Sequence, residues 1–128
     1  MRALLDTHVF LWAVSEPERL SESATKVIQS GANELFLSAA SLWEISIKIG
    51  TGKLPLPKPE DRYLRDQLLR INVSTLAVEA RHALELISIP LYHRDPFDRL
   101  LIAQSLVEGI PIITADSALK QYSAQIIW

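Results

Sequence analysis

Four acidic residues stand where a strand-like segment ends or a helix-like segment begins: Asp6, Glu44, Asp98 and Asp116 in a chain of 128 residues. In open α/β sheets, ligands bind outside the carboxyl ends of the strands, so a parallel sheet would bring these carboxylates to one edge. Carboxylates that lie close together repel unless they are protonated or bind cations. Oxygen ligands favour hard ions such as Mg²⁺ or Mn²⁺, which can activate water and stabilise the leaving oxygen of a phosphodiester. The spacing therefore predicts metal-assisted phosphoryl-transfer chemistry.

The stretch His93–Leu101 carries the strongest of these signals. Asp95 is predicted to cap a helix whose first residue is Pro96, which puts Asp98 in the first turn. Residues 100–107 are mostly apolar and predict a buried helix with a rigidly held N-terminus. An acid in a first turn is also stabilised by the helix dipole alone, so a capping role without chemistry stays open.

The other three acids have similar alternatives. Asp6 and Asp116 each follow a short apolar strand, and each is also a suitable N-cap for the helix behind it. Glu44 fits a capping box with Ser41, or alternatively projects from the second turn of a helix that begins near Ser38. The neighbours of Glu44 are apolar, so its charge requires a partner or a cation.

Apolar runs alternate with helical patterns along the whole chain. The predicted strands are 3–5, 34–37, 74–76, 110–114 and 126–128, and the predicted helices include 21–30, 41–49, 60–70 and 100–107. Leu76, Ala80, Ala83, Leu84 and Ile87 recur at helical spacing and predict a further helix that faces the core. Residues 50–59, rich in proline and glycine, are predicted to form a surface loop. The alternation favours one α/β domain, residues 1–128, with a mostly parallel sheet of about five short strands and helices on both faces.

Composition sets the broad class of the protein. Apolar residues make up 48% of the chain and charged residues 22%, as in ordinary soluble globular proteins. The sequence has no apolar run near the ~20 residues that a membrane helix requires, and no signal-peptide pattern. Without cysteine there is no disulfide, thiolate zinc site or cysteine nucleophile. These features predict no membrane partner and are compatible with the cytoplasm.

The formal net charge of −2 argues against general electrostatic attraction to nucleic acid. Nuclease activity is still allowed, because bound metal ions reverse the local sign of the charge. A small basic rim is expected from Lys48, Lys53 and Lys58, together with Arg94 and Arg99 near the third acid. Arg99 is the best candidate for a contact with a phosphate or with a partner's carboxylate.

Two of the three histidines are close to the acids in sequence. His8 follows Asp6 by two residues, and His93 precedes Asp98 by five. Either is suited to proton transfer near neutral pH, but metal catalysis does not require them, so both are left out of the predicted catalytic set. His82 falls on a predicted helix and is expected to be structural or exposed.

Four short motifs resemble the four acidic motifs of the PIN domain, in order and in spacing, and the resemblance covers essentially the whole chain. The motifs are Leu4–Thr7, Ala40–Ile45, Asp95–Ala103 and Thr114–Asp116. The likeness is closest to the VapC-like toxins of bacterial toxin–antitoxin pairs.

The resemblance implies a Mg²⁺- or Mn²⁺-dependent endoribonuclease with a compact three-layer α/β/α sandwich. It implies that Asp6, Glu44, Asp98 and Asp116 bind the metal and catalyse attack by a metal-activated water on an RNA phosphodiester. Thr114 matches the small hydroxyl residue that the family places near the last acid.

The resemblance also bears on two flanking residues and on partners. Asp95 belongs to the third motif but is expected to act mainly as a cap, and His8 stands where many relatives have Asn. The implied partners are an RNA substrate, a second copy of the chain in a homodimer, and a VapB-like antitoxin. Such an antitoxin would wrap the protein and place a basic side chain among the acids.

Two other functions remain open from the residues themselves. A receiver-like phosphoacceptor module also uses acids and Mg²⁺ at strand ends, and it needs a lysine beyond its last functional strand. Lys120 lies one helix too late for that role. The other alternative is a catalytically inactive, partner-binding PIN-like domain in which the acids are only helix caps.

Overall fold

The computed structural model describes all 128 residues, as five strands and six α-helices. The strands are β1 (Arg2–Leu5), β2 (Glu34–Ser38), β3 (Val73–Leu76), β4 (Ile112–Ile113) and β5 (Ile126–Ile127). The helices are α1 (Thr7–Ser15), α2 (Glu22–Gln29), α3 (Ala39–Gly50), α4 (Glu60–Arg70), α5 (Ala80–Glu85) and α6 (Pro96–Glu108). Two 3₁₀ helices cover Pro17–Arg19 and Ser117–Gln121. None of the helices combines the length and the apolar character that a membrane span requires.

All five strands are parallel, in the spatial order β3-β2-β1-β4-β5. In the centre of the sheet, Leu4 of β1 lies between Phe36 of β2 and Ile112 of β4. The chain builds the sheet outward from β1 in one direction and then returns to its other side with β4. The reversal of strand order therefore falls between the carboxyl ends of β1 and β4, the place where open α/β sheets bind their ligands.

Hydrophobic cores cover both faces of the sheet. In β1, Ala3 and Leu5 contact one core, which is built with α1 to α4, whereas Leu4 contacts the other, which includes α6. Because successive strand residues point to opposite faces, a strand covered on both faces is apolar throughout, as Ala3 to Leu5 are. This architecture confirms the predicted α/β/α sandwich with about five short parallel strands.

The helix predicted from Leu76 to Ile87 is wrong in both its length and its buried face. Helix α5 has only six residues, and Leu84 and Ile87 are 63% and 83% exposed. The buried residue is His82, whose Nδ1 accepts a hydrogen bond from the backbone N–H of Glu79 at 3.0 Å. The buried side chain that holds this short helix is therefore the polar His82. The apolar residues at helical spacing, Leu84 and Ile87, lie on the side that faces solvent.

The 50–59 loop is confirmed in outline, since α3 continues through Gly50 and no helix or strand is found before α4. The last predicted helix begins as expected after Asp116, but as a 3₁₀ helix.

Candidate active site

Asp6 lies directly after β1, at the reversal of strand order, and it is only 5% exposed. Its Oδ1 accepts a hydrogen bond from the backbone N–H of Val9 at 2.8 Å, so it is the N-cap of α1. Its Oδ2 accepts a hydrogen bond from the hydroxyl of Thr114. Burial raises the pKa of the Asp6 carboxyl despite these two donors. The side chain is therefore fixed in orientation, but its charge is costly without a cation.

Thr114 connects the end of β4 to two of the acids. Its hydroxyl, almost fully buried, donates to Asp6 and accepts a hydrogen bond from the backbone N–H of Asp116 at 3.1 Å. Asp116 caps the following 3₁₀ helix through the N–H of Ala118 at 2.9 Å. Its side chain is 40% exposed, so one carboxylate oxygen faces the solvent side of the site. The negative charge of Asp116 also helps to raise the pKa of Asp6.

Glu44 projects from the second turn of α3 and is 9% exposed. The capping-box interpretation is wrong, because Ser38 is the N-cap of this helix and accepts from the N–H of Ala40 at 3.0 Å. The Oε1 of Glu44 instead accepts from the hydroxyl of Thr7 at 2.8 Å. Its Oε2 lies 3.3 Å from Nζ of Lys48, one helical turn further on. The partner that the sequence required for Glu44 is therefore a hydroxyl and an ammonium group.

Thr7 joins Glu44 to the first acid, because it is the residue next to Asp6 at the start of α1. Its Oγ1 is also hydrogen-bonded to Oγ of Ser41 at 2.9 Å. From the sequence, Ser41 was considered only as a helix cap, and the hydroxyl of Thr7 was given no role. The available signal was a small hydroxyl residue next to Asp6 and another three residues before Glu44, since such side chains can donate hydrogen bonds to carboxylates.

Asp98 occupies the first turn of α6, as predicted. Asp95 is the N-cap and accepts from the N–H groups of Phe97 at 2.9 Å and of Asp98 at 3.0 Å. Burial raises the pKa of the Asp98 carboxyl, and the negative charges of Asp95 and Asp6 add to the rise. A charge effect of Asp6 on Asp98 requires the first and third acids to be close in space, although 92 residues separate them.

His93, left outside the catalytic set, lies among the acids. Its Nε2 is 2.8 Å from Oδ2 of Asp98 and 3.8 Å from Oδ2 of Asp116. The sequence signal was weak, because His93 is in a loop and no periodicity relates it to Asp98. The contact with Asp116 depends on the packing of two distant segments.

Arg99, the candidate for a contact with a phosphate or a partner's carboxylate, makes a contact within the chain. One of its terminal nitrogens donates to the backbone carbonyl of Ile89 at 3.0 Å, and its Nε is buried without a partner. Its guanidinium thus holds the loop that leads to His93. Of the predicted basic rim, Lys48 is the member that contacts one of the acids.

A series of contacts connects the four acids. It runs from Glu44 to the hydroxyl of Thr7, which is the chain neighbour of Asp6, then from Asp6 through Thr114 to Asp116, and through His93 to Asp98. The group of ligand atoms that all lie within 4.8 Å of one another comes from His93, Asp98 and Asp116, and it does not include Asp6 or Glu44. Carboxylate oxygens, several of them buried, with mutually repelling charges, are the donors that a hard divalent cation requires. The chemistry of the donor set fits such an ion.

Residues 3–125 match the PIN domain family. Ribonuclease VapC22 of Mycobacterium tuberculosis is 32% identical over 120 residues, which cover 93% of this chain and 90% of that protein. The chain belongs to the PIN-domain family. A second relative, ribonuclease VapC16 of the same organism, is 43% identical over 56 residues, 44% of this chain and 40% of that protein.

Solved structures share the fold of this PIN-domain protein. VapBC2 of Rickettsia felis, bound to a promoter DNA fragment, matches with a TM-score of 0.71 and 13% identity, over 98% of this chain and 96% of that one. VapBC-5 of Mycobacterium tuberculosis, a member of the VapBC family of toxin-antitoxin systems, matches with a TM-score of 0.57 and 17% identity, over 98% and 94%. The predicted family resemblance is confirmed, and the receiver-like alternative is set aside.

Proposed function

We propose that this PIN-domain protein is a divalent-metal-dependent endoribonuclease and the toxin of a toxin–antitoxin pair. The observation that carries the proposal is the series of contacts that connects four acids, two that follow β1 and β4 and two in α3 and α6. The ribonuclease names of its relatives support the reaction, and the VapBC complexes that share its fold support the biological role.

Asp6, Glu44, Asp98 and Asp116 would hold the Mg²⁺ or Mn²⁺. Bound there, the ion supplies an activated water and neutralises charge that develops on the phosphodiester. Burial raises the pKa of two of these carboxyls, Asp6 and Asp98, so a cation is favoured where a bare charge is not.

The chain's own residues orient these acids. Val9 and Thr114 fix both oxygens of Asp6, and the hydroxyl of Thr7 fixes one oxygen of Glu44. Lys48 is partly exposed at the edge of the acids, where its ammonium group is placed to contact a phosphate of the substrate. Oriented ligands matter because a metal site loses affinity when the groups that hold its ligands are removed.

Thr114→Val is expected to lower cleavage about 10- to 100-fold, because valine keeps the shape of threonine but removes the donor to Asp6. Thr114→Ser is the matched control, since it keeps the hydroxyl, and it should retain most of the activity. Initial cleavage rates at saturating and limiting Mg²⁺ provide the measurement. Equal activity of the valine and serine variants would show that Thr114 does not position Asp6.

The toxin role predicts an effect on growth. Induced expression of the wild-type protein should arrest a bacterial host, while Asp98→Asn at the same protein level should permit normal growth. Co-expression of an adjacent small reading frame that encodes a VapB-like antitoxin should restore growth. Normal growth with abundant, folded wild-type protein would contradict the toxin role but not the nuclease chemistry.

We also propose the homodimer that the family resemblance implies. Leu84, Ile87 and Leu91, at and after α5, are each more than 60% exposed, and these apolar side chains are our candidates for the contact with a second copy of the chain. Light scattering tests the proposal with Leu84→Asp, and Leu69→Asp on the exposed side of α4 is the control. A dimer that is lost only in the first variant is expected, and a dimer retained in both variants would place the interface elsewhere.

A further inference from the structure

The loop between α5 and α6 places His93 within reach of two carboxylates from different parts of the chain. Its Nε2, an oxygen of Asp98 and an oxygen of Asp116 all lie within 4.8 Å of one another. The side chains of His93 and Asp98 are each 26% exposed, and that of Asp116 is 40% exposed. The three groups therefore meet at an edge of the site that solvent, and ions, can reach.

The position of His93 is fixed on both sides. Its backbone N–H donates to the hydroxyl of Tyr122 at 2.9 Å, and the Tyr122 ring lies 5.2 Å from the ring of Tyr92. Two residues later, Asp95 caps α6 through two backbone N–H groups. The Tyr122 contact joins the loop to the segment that follows Asp116. The imidazole is thus held beside the acids by the fold around it.

The spacing of these groups suits a shared ion as well as a hydrogen bond. Neighbouring ligands of a six-coordinate ion with bonds of about 2.1 Å lie about 3 Å apart. The separation of His93 Nε2 and Asp98 Oδ2 is 2.8 Å, and that of Nε2 and Asp116 Oδ2 is 3.8 Å. An ion bound between the three groups would replace the bond from Nε2 to Asp98 with only small side-chain movements.

We propose that His93 Nε2 is a ligand of the ion that Asp98 and Asp116 hold, and that this nitrogen shifts the preference of the site from Mg²⁺ toward Mn²⁺. The inference rests on the metal-dependent function proposed above. Both ions favour oxygen ligands, but Mg²⁺ demands them more strictly and keeps its waters, whereas Mn²⁺ is a first-row transition-metal ion that accepts an imidazole nitrogen more readily than Mg²⁺ does. Ligation requires the neutral imidazole, with its proton on Nδ1 and the lone pair on Nε2.

The test uses Mn²⁺ alone as the probe, on protein labelled with ¹⁵N in histidine. Pulsed electron paramagnetic resonance of bound Mn²⁺ should show a ¹⁵N coupling in the wild type and in His8→Gln, but not in His93→Gln. His8 is the matched control because it is exposed and close enough for its charge to act on Asp6. The remaining histidine, His82, is fully buried against Glu108 and is not available to the ion.

Affinities measured by calorimetry provide a second readout. In His93→Gln the Kd for Mn²⁺ should rise about 10-fold or more, while the Kd for Mg²⁺ should change less than about threefold. Glutamine is chosen because its amide can still donate to Asp98, so a role limited to that hydrogen bond would leave both affinities unchanged. The coupling in the wild type and in His8→Gln needs no change at position 93, so the test does not depend on the folding of one variant.

The outcomes separate this inference from the function on which it rests. Mn²⁺ that binds the wild type without a ¹⁵N coupling would leave the metal site in place and overturn the role of His93. Equal losses of Mg²⁺ and Mn²⁺ affinity in His93→Gln would overturn the shift in preference. No Mn²⁺ binding to the wild type would overturn both the inference and the metal-dependent function.

Discussion

Asp98→Asn is expected to reduce RNA cleavage at least about 100-fold while the protein stays folded. Asparagine has nearly the shape of aspartate. Its amide oxygen can still accept a hydrogen bond from His93, whose Nε2 lies 2.8 Å from the carboxylate of Asp98 in the wild type. The substitution removes the negative charge that would hold the cation, so the loss is expected in catalysis and metal affinity together. Cleavage rates over a range of Mg²⁺ concentrations measure both.

The control for this variant is Asp66→Asn, on the exposed side of α4. It removes the same charge from the protein and should leave the rate within about twofold of the wild type. Circular dichroism establishes that both variants are folded. A folded Asp98→Asn protein that cleaves RNA at the wild-type rate would support the alternative in which Asp98 only stabilises the start of α6.

The second large effect concerns the free energy of unfolding, which should depend on the pH and on whether a metal ion is bound. Burial raises the pKa of Asp6 and of Asp98, so the folded protein holds these protons more tightly than the unfolded chain does. In the absence of metal, the resulting stability is fully present below the ordinary carboxyl pKa of about 4 and is lost as the pH rises through the raised pKa values. Over this range the contribution of Asp6 and Asp98 to the free energy of unfolding should therefore fall, whereas Glu108, whose pKa is lowered by its hydrogen bond to His82, contributes in the opposite direction. A comparison with Asp98→Asn isolates the contribution of Asp98.

Added Mg²⁺ or Mn²⁺ should reverse this loss. An ion at 100 times its Kd adds about 2.7 kcal/mol to the free energy of unfolding, if it binds only the folded state. The gain should be larger at pH 8 than at pH 5, because protons compete with the ion for the same oxygens. Urea unfolding at both pH values, with and without metal, measures the gain.

The reference for this measurement is Asp98→Asn, which should lose most of the metal-dependent gain. In the absence of metal, the wild type should lose stability relative to Asp98→Asn as the pH rises through the carboxyl range, and a relative gain would contradict the raised pKa of Asp98. An equal gain in the wild type and in Asp98→Asn would place the bound ion away from the acids.

Much of the fold follows from local signals in the sequence. Strands β1 and β2 follow from short apolar runs, and the caps Asp6 and Asp95 follow from residue types that bond to the first free N–H groups of a helix. These signals act within a few residues, so they can be read without knowledge of the tertiary structure. The alternation of strands and helices then leaves few arrangements other than a parallel sheet.

Helix α5 shows why the rest was not predictable. The apolar residues at helical spacing, Leu84 and Ile87 among them, point to solvent, and the fully buried side chain is His82. Its Nε2 contacts Glu108, on α6 and 26 residues away, at 3.1 Å. A pattern of apolar residues identifies the face suited to burial, but a buried polar pair depends on two segments that only the fold brings together.

In the candidate site, too, one part was predictable from the sequence and another was not. The four acids stood out because they follow strands or open helices, and the strand order then explains why those places meet at β1 and β4. The contacts that orient the acids were not visible in the sequence. The hydroxyl of Thr7 reaches Glu44 across 37 residues, and the imidazole of His93 reaches Asp116 across 23. Such contacts depend on the register and packing of neighbouring elements.

The central claim is that the gathered acids bind a divalent cation and use it to cleave RNA. The most direct test is cleavage of end-labelled structured and single-stranded RNAs by the wild-type protein, with Mg²⁺, with Mn²⁺, with EDTA, and with metal restored after EDTA. The account predicts internal cuts that require metal, disappear with EDTA and return when either ion is restored. Cleavage that persists at full rate in EDTA would contradict the claim, as would no cleavage by protein shown by calorimetry to lack a divalent-ion site.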